Sequence, residues 1–169
     1  MTLTLHAHPL SSYCWKALIA LYENDTPFTF RLLDFGNEAS AGAFRALWPL
    51  AKMPVLVDGE RVIVESSIVI EYLALHHPGP VPLIPADPDA ALEVRRLDRI
   101  FDNYVMTPMQ KIVGDRLRPA DWGDPHGVEE ARQLLDTSFG WLERELAGRT
   151  WASGEAFSLA DCAAAPSLH

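Results

Sequence analysis

The chain has 169 residues, 49% of them hydrophobic and 22% charged, a globular composition long enough for one ordinary domain or two small ones. Its net charge of −9 argues against a phosphate backbone or an anionic membrane as partner, and its two cysteines are too few for a disulfide scaffold or a zinc centre. No run approaches the roughly 18 apolar residues of a membrane span. The amino-terminal MTLTLHAHP lacks the basic and apolar regions of a signal peptide, so a reducing cytoplasm is the expected compartment.

In chain order, Thr2 to His6 alternate apolar and polar side chains as a strand does, and Pro9 ends the run. From Tyr13 to Glu23 the positions Cys14, Ala17, Leu18 and Leu21 follow helical spacing. Asn24-Asp25 then turns the chain into a β-rich run from Pro27 to Phe35, and a short helix is expected from Ala41 to Leu47. MPVLVDGERVIVES reads as two strands around Asp58-Gly59, a strong hairpin signal. SSIVIEYLALHH is an amphipathic helix, which completes a β-α-β-α-β-β-α order.

The next segment carries Pro78, Pro80, Pro82, Pro85 and Pro88 and can be neither helix nor central strand. The boundary is placed there: a first domain over 1–78, a linker over 79–88 and a helical domain over 89–169. In that second part Leu92, Leu97, Ile100, Phe101, Tyr104, Val105, Ile112 and Val113 form one long stripe, with a kink expected at Pro108. A loop, RPADWGDPHG, precedes a helix from Val128 to Leu146 that Gly148 stops. Ser158 to Asp161 form a capping box that opens a third helix. That helix has barely started at His169, so the helical domain is expected to be incomplete.

Ser11-Ser12-Tyr13-Cys14 resembles half of a redox Cys-x-x-Cys, with a serine where the first sulfur would stand. Two further motifs accompany it, Lys52-Met53-Pro54-Val55-Leu56 and Glu65-Ser66 at a helix start, and FSLAD is a weaker fourth. Together with the element order they resemble the glutathione transferase superfamily. The resemblance implies a thioredoxin-like first domain followed by an all-helical second domain, a homodimer, and glutathione as co-substrate with no metal.

The same resemblance implies roles for individual residues. Ser11, with Ser12 and Tyr13 as rivals, would donate a hydrogen bond to the glutathione thiolate at a helix N-terminus, where unpaired N–H groups favour an anion. A thiol of pKa about 8.5 must fall by about two units, about 2.7 kcal/mol, to be ionised at neutral pH. A hydrogen bond to a charged group contributes about 1.5–3 kcal/mol and the helix end about 0.3–1 kcal/mol, so no further base is required. Met53, before a cis Pro54, would present its backbone to the cysteinyl unit. Ser66 would take the γ-glutamyl carboxylate, Glu65 the ammonium group and Lys52 the glycyl carboxylate. Tyr104, Met106 and Lys111 are candidates to line the acceptor pocket of a small electrophile.

Each of these residues also has a structural reading. Ser11 and Ser12 are ordinary helix caps, Cys14 a buried helix residue, and His6 and His8 packing or solvated histidines. Three other functions stay open. The SSxxW turn is similar to zeta-type maleylacetoacetate isomerases, although Tyr13 replaces a cysteine of their pattern. Some relatives keep the fold as a binding or interaction module, and Cys14 could form a mixed disulfide.

Overall fold

The computed structural model describes residues 3–169. The chain divides into two compact units, Met1–Pro85 and Ala86–His169. The first holds a four-stranded sheet in the order β2-β1-β3-β4 with three helices. Strands β1 (Leu3–Ala7) and β2 (Phe28–Leu32) pair in parallel across the helical crossover α1 (Ser12–Glu23). Strand β3 (Val55–Asp58) runs antiparallel to both β1 and β4 (Arg61–Val64). Asp58 pairs with Arg61 across a two-residue turn, and Gly59 at φ 60 supplies the positive φ that such a turn demands. Thr2, expected in the first strand, lies outside the described residues.

Alternation along β1 assigns its two faces. Leu3, Leu5 and Ala7 are buried with Cys14, Ala17 and Leu21 of α1 and with Val69 and Leu73 of α3 (Ser66–His76). On the other face α2 (Glu38–Leu47) buries Phe44 against Leu33 and Val55. Burying one such leucine stabilises the fold by about 1.5–3 kcal/mol. Helix α2 begins three residues before the expected Ala41 because Asn37 caps it, accepting from Ala39 N at 3.0 Å and Ser40 N at 3.1 Å. The β-rich run from Pro27 shortens to five residues; beyond Leu32 the chain turns toward that cap.

Part of the proline-rich segment is bound to the first unit. The Asn24 side chain donates to Val81 O at 3.1 Å and accepts from Val81 N at 2.8 Å, and Leu83 has no exposed surface. A Cβ at Gly79 would overlap the Asn24 side chain, so the close approach requires glycine.

The second unit is helical. Helix α4 (Pro88–Ile100) runs through one π-helical segment, Phe101–Met106, into α5 (Thr107–Arg116). The expected disturbance at Pro108 therefore takes the form of a widened turn just upstream. Proline cannot donate its N–H and its ring crowds the carbonyl four residues back. The Thr107 N–H reaches Asp102 O instead, and Thr107 Oγ1 donates to the same carbonyl at 2.8 Å.

Helix α6 (Pro125–Glu145) starts three residues before the expected Val128, on a cap from Asp124 to Gly127 N at 2.9 Å. Helix α7 (Leu159–Leu168) opens on the capping box expected from its sequence. Asp161 accepts from Ser158 N at 2.9 Å and from Ala152 N at 2.7 Å while nearly buried. Among the described residues no helix is long and apolar enough to cross a membrane.

Candidate functional site

The sheet register brings the three motifs to one end of the sheet. Residue His6, near the end of β1, pairs with Val55 at the start of β3, and Val55 pairs with Val64 at the end of β4. The segments that follow Ala7, precede Val55 and follow Val64 therefore leave the sheet on the same side. They carry Ser11, Met53-Pro54 and Glu65-Ser66.

Ser11 is the N-cap of α1, in extended geometry at φ −101, ψ 115. Its N–H donates to His8 O at 3.0 Å, and its Oγ accepts from Cys14 N at 3.3 Å. Ser11, Ser12 and Tyr13 are all partly buried. Cys14 has no exposed surface; burial pushes its thiol up, while the Ser11 hydroxyl and the His8 backbone pull the other way. The Trp15 indole donates to Pro9 O at 2.6 Å, which pins the turn between β1 and α1.

The Met53-Pro54 peptide is cis, as the motif implies. Two non-glycine residues with positive φ adjoin the motifs, Ala51 at φ 50 and Glu65 at φ 68. Such backbone costs on the order of 1–3 kcal/mol per residue and persists where its surroundings enforce it. Glu65 stands at the N-cap of α3 without a capping hydrogen bond, and its side chain is exposed. Ser66 begins that helix and is nearly buried, whereas Lys52 is exposed.

The three acceptor candidates lie in the second unit and differ in environment. Met106 is fully buried and Tyr104 is 49% exposed. Lys111 is paired with Asp124, the cap of α6, and Gly127 lies so close that a Cβ there would overlap both side chains. That ion pair, with the Gly127 N–H, holds the Asp124 carboxyl below its usual range.

His6 stacks on Phe44 with ring centroids 6.1 Å apart, and burial followed by Arg31 lowers its pKa. His8 accepts from Leu10 N at 3.2 Å through Nδ1. Both histidines thus have local partners. Among the described residues no group of three or more His, Cys, Asp or Glu is placed to hold a metal ion.

One residue of the site region was missed by sequence reasoning. Lys16 is fully buried in α1 and donates from Nζ to Ser67 Oγ at 2.8 Å, although helical spacing had assigned it no place in the core. The SSYCWK string gives no sign of it; only the packing of α1 on α3 does.

Comparison with known proteins agrees with this architecture. The profile for "Glutathione S-transferase, N-terminal domain" matches residues 5–81, and that for "Glutathione S-transferase, C-terminal domain" matches residues 125–169. Glutathione S-transferase 1 of Dianthus caryophyllus is 31% identical over 170 residues, covering 97% of this chain and 75% of the relative. The chain belongs to the glutathione S-transferase family.

A probable maleylacetoacetate isomerase of Caenorhabditis elegans is 27% identical, covering 98% of this chain and 77% of that one. Among solved structures, a glutathione S-transferase of Methylobacillus flagellatus KT with GSH bound superposes with a TM-score of 0.90 at 26% identity. It covers 99% of this chain and 81% of the other. The chain thus spans about three quarters to four fifths of the length of these relatives.

Proposed function

We propose that the chain binds glutathione and holds its thiolate at the N-terminus of α1 for attack on a small electrophile. The observation that carries this reading is the Ser11 cap at the strand-to-helix junction. The register brings the cis Met53-Pro54 segment and the start of α3 to the same end of the sheet.

Ser11 accepts from the helix and still has one O–H to give. Met53 offers backbone groups to the cysteinyl unit, Ser66 its hydroxyl and N–H to the γ-glutamyl carboxylate, Glu65 a countercharge to the ammonium, and Lys52 one to the glycyl end. Tyr104 is the acceptor candidate best exposed of the three. The working form is a cytoplasmic homodimer.

Isothermal titration with glutathione, followed by conjugation of a small halogenated aromatic, tests the reading. Micromolar to millimolar binding with thiol consumption supports it, and no binding up to tens of millimolar refutes it. The isomerase relative favours a second reading, in which glutathione adds to a maleyl substrate and leaves again. Isomerisation of maleylacetone without net thiol consumption would select that reading, and conjugation alone would reject it.

A further inference from the structure

Among the largest side chains with no exposed surface is a lysine, Lys16. Lysine is almost never fully buried unless it is paired, because taking the ammonium out of water costs several kcal/mol. Its Nζ donates to Ser67 Oγ at 2.8 Å across 51 residues of sequence, in a buried setting. Both residues engage further groups as well.

The two ends of this bond are specific places. Lys16 lies in the second turn of α1, the helix that Ser11 caps, and Ser67 follows Ser66 in the first turn of α3. Beside it the α1–α3 contact has an apolar part, Cys14, Ala17 and Leu21 with Val69 and Leu73. Apolar burial is non-directional and tolerates small sliding, whereas a short hydrogen bond fixes one helix end against the other.

A ligand anchored at Ser66 that must also present its sulfur to Ser11 needs those two helix ends held to within about 0.5 Å. We propose that Lys16 is a positioning residue that, through Ser67, sets the spacing between the carboxylate-binding end of α3 and the thiolate-binding end of α1. The inference rests on the glutathione reading above.

The test uses Lys16→Met, Ser67→Ala and the double variant in the whole chain. Methionine fills similar volume but strands the groups that Lys16 engages, which costs stability, so melting temperature is read on the same samples; Ser67→Ala leaves the lysine in place. Two readouts separate positioning from mere stability: the titration of bound glutathione at 240 nm, and the affinity for S-methylglutathione, which has no thiol to ionise.

The expected result is a bound-thiol pKa about one unit higher in each single variant, a tenfold loss in the ionisation constant. S-methylglutathione affinity should stay within about twofold, and the double variant should be no worse than either single one. An unchanged thiol titration, or equal loss of affinity for both ligands, would overturn the proposal. A wild-type protein with no bound thiolate would refute the glutathione reading first and this proposal with it.

Discussion

On the glutathione reading one Ser11 hydroxyl fills two roles, and replacing it separates them. Its oxygen accepts from Cys14 N at 3.3 Å, and its single O–H is left to donate. The neutral Cys14 thiol beside it is a weak acceptor, which an incoming thiolate would displace as the partner of that O–H. Ser11→Ala removes both roles. The lost cap costs about 1 kcal/mol, which lowers Tm by about 2–4 °C for a chain of this size. The lost donor is a hydrogen bond to a charged group, about 1.5–3 kcal/mol, and that raises the pKa of bound glutathione by about 1–2 units. Ser11→Gly keeps the cap to within a few tenths of a kcal/mol but removes the donor. The two variants should therefore share the pKa rise and differ in Tm. Thiolate absorbance at 240 nm against pH, with melting curves on the same samples, reads both quantities. If the bound thiol titrates as in wild type in both variants while only Ser11→Ala melts earlier, Ser11 is a cap alone and the mechanism is refuted.

Gly127→Ala should change stability in urea unfolding by less than about 1 kcal/mol, because its Cβ would meet only the far ends of the Asp124 and Lys111 side chains, which can swing aside, and alanine is the better helix former. A loss above about 2 kcal/mol would mean that the cap and its lysine are held in place. Asp161→Ala should cost more, about 2–4 kcal/mol, since it strips the capping box and leaves Ala152 N and Ser158 N without their acceptor; a loss no greater than that of Ser11→Ala would contradict this. Stability should also fall in acid. Hydrogen bonds from His77 and Tyr72 hold Asp58 below its ordinary range, and Lys111 does the same for Asp124. A carboxyl lowered by folding stabilises fully above its unfolded value of about 3.9 and loses that effect as pH falls through the folded value. Urea midpoints should therefore be flat from about pH 5 to 7 and drop below about pH 4, less steeply in Asp58→Asn; an unchanged slope in that variant would remove Asp58 from the account.

What was legible in the sequence had local causes. Alternation marked β1, Asp58-Gly59 marked the hairpin, and Ser158 with Asp161 marked the start of α7; each depends on neighbours a few residues away. Helix starts before Ala41 and Val128 were missed because Asn37 and Asp124 cap from outside the apolar pattern that defined those helices. Lys16 could not be read as core, since a lysine on a helix is ordinarily solvated and its partner Ser67 is 51 residues away. The proline-rich stretch reads as a linker from its prolines; that Asn24 binds Val81 by both ends of its amide is a long-range pairing with no sequence signature. The site motifs were visible as strings; their arrival at one end of the sheet follows from the pairing of β1 with β3 and β3 with β4.

The half-motif at Ser11 also bears on the redox reading. In a Cys-x-x-Cys the first sulfur is the accessible one and the second lies deeper in the helix. Here the deeper sulfur remains, with no exposed surface and a thiol that burial makes harder to ionise. The thiolate is the form that exchanges, so the helix geometry that retains Cys14 also suppresses its reactivity. Ser11 at the cap has the opposite balance: no sulfur of its own, but an O–H at the end of a helix where negative charge is stabilised. On the proposed reading, chemistry at this turn therefore depends on a sulfur that arrives with the ligand. Cys14→Ala should accordingly leave thiolate stabilisation intact while Ser11→Gly removes it, and a protein in which Cys14→Ala abolished activity would reverse the assignment.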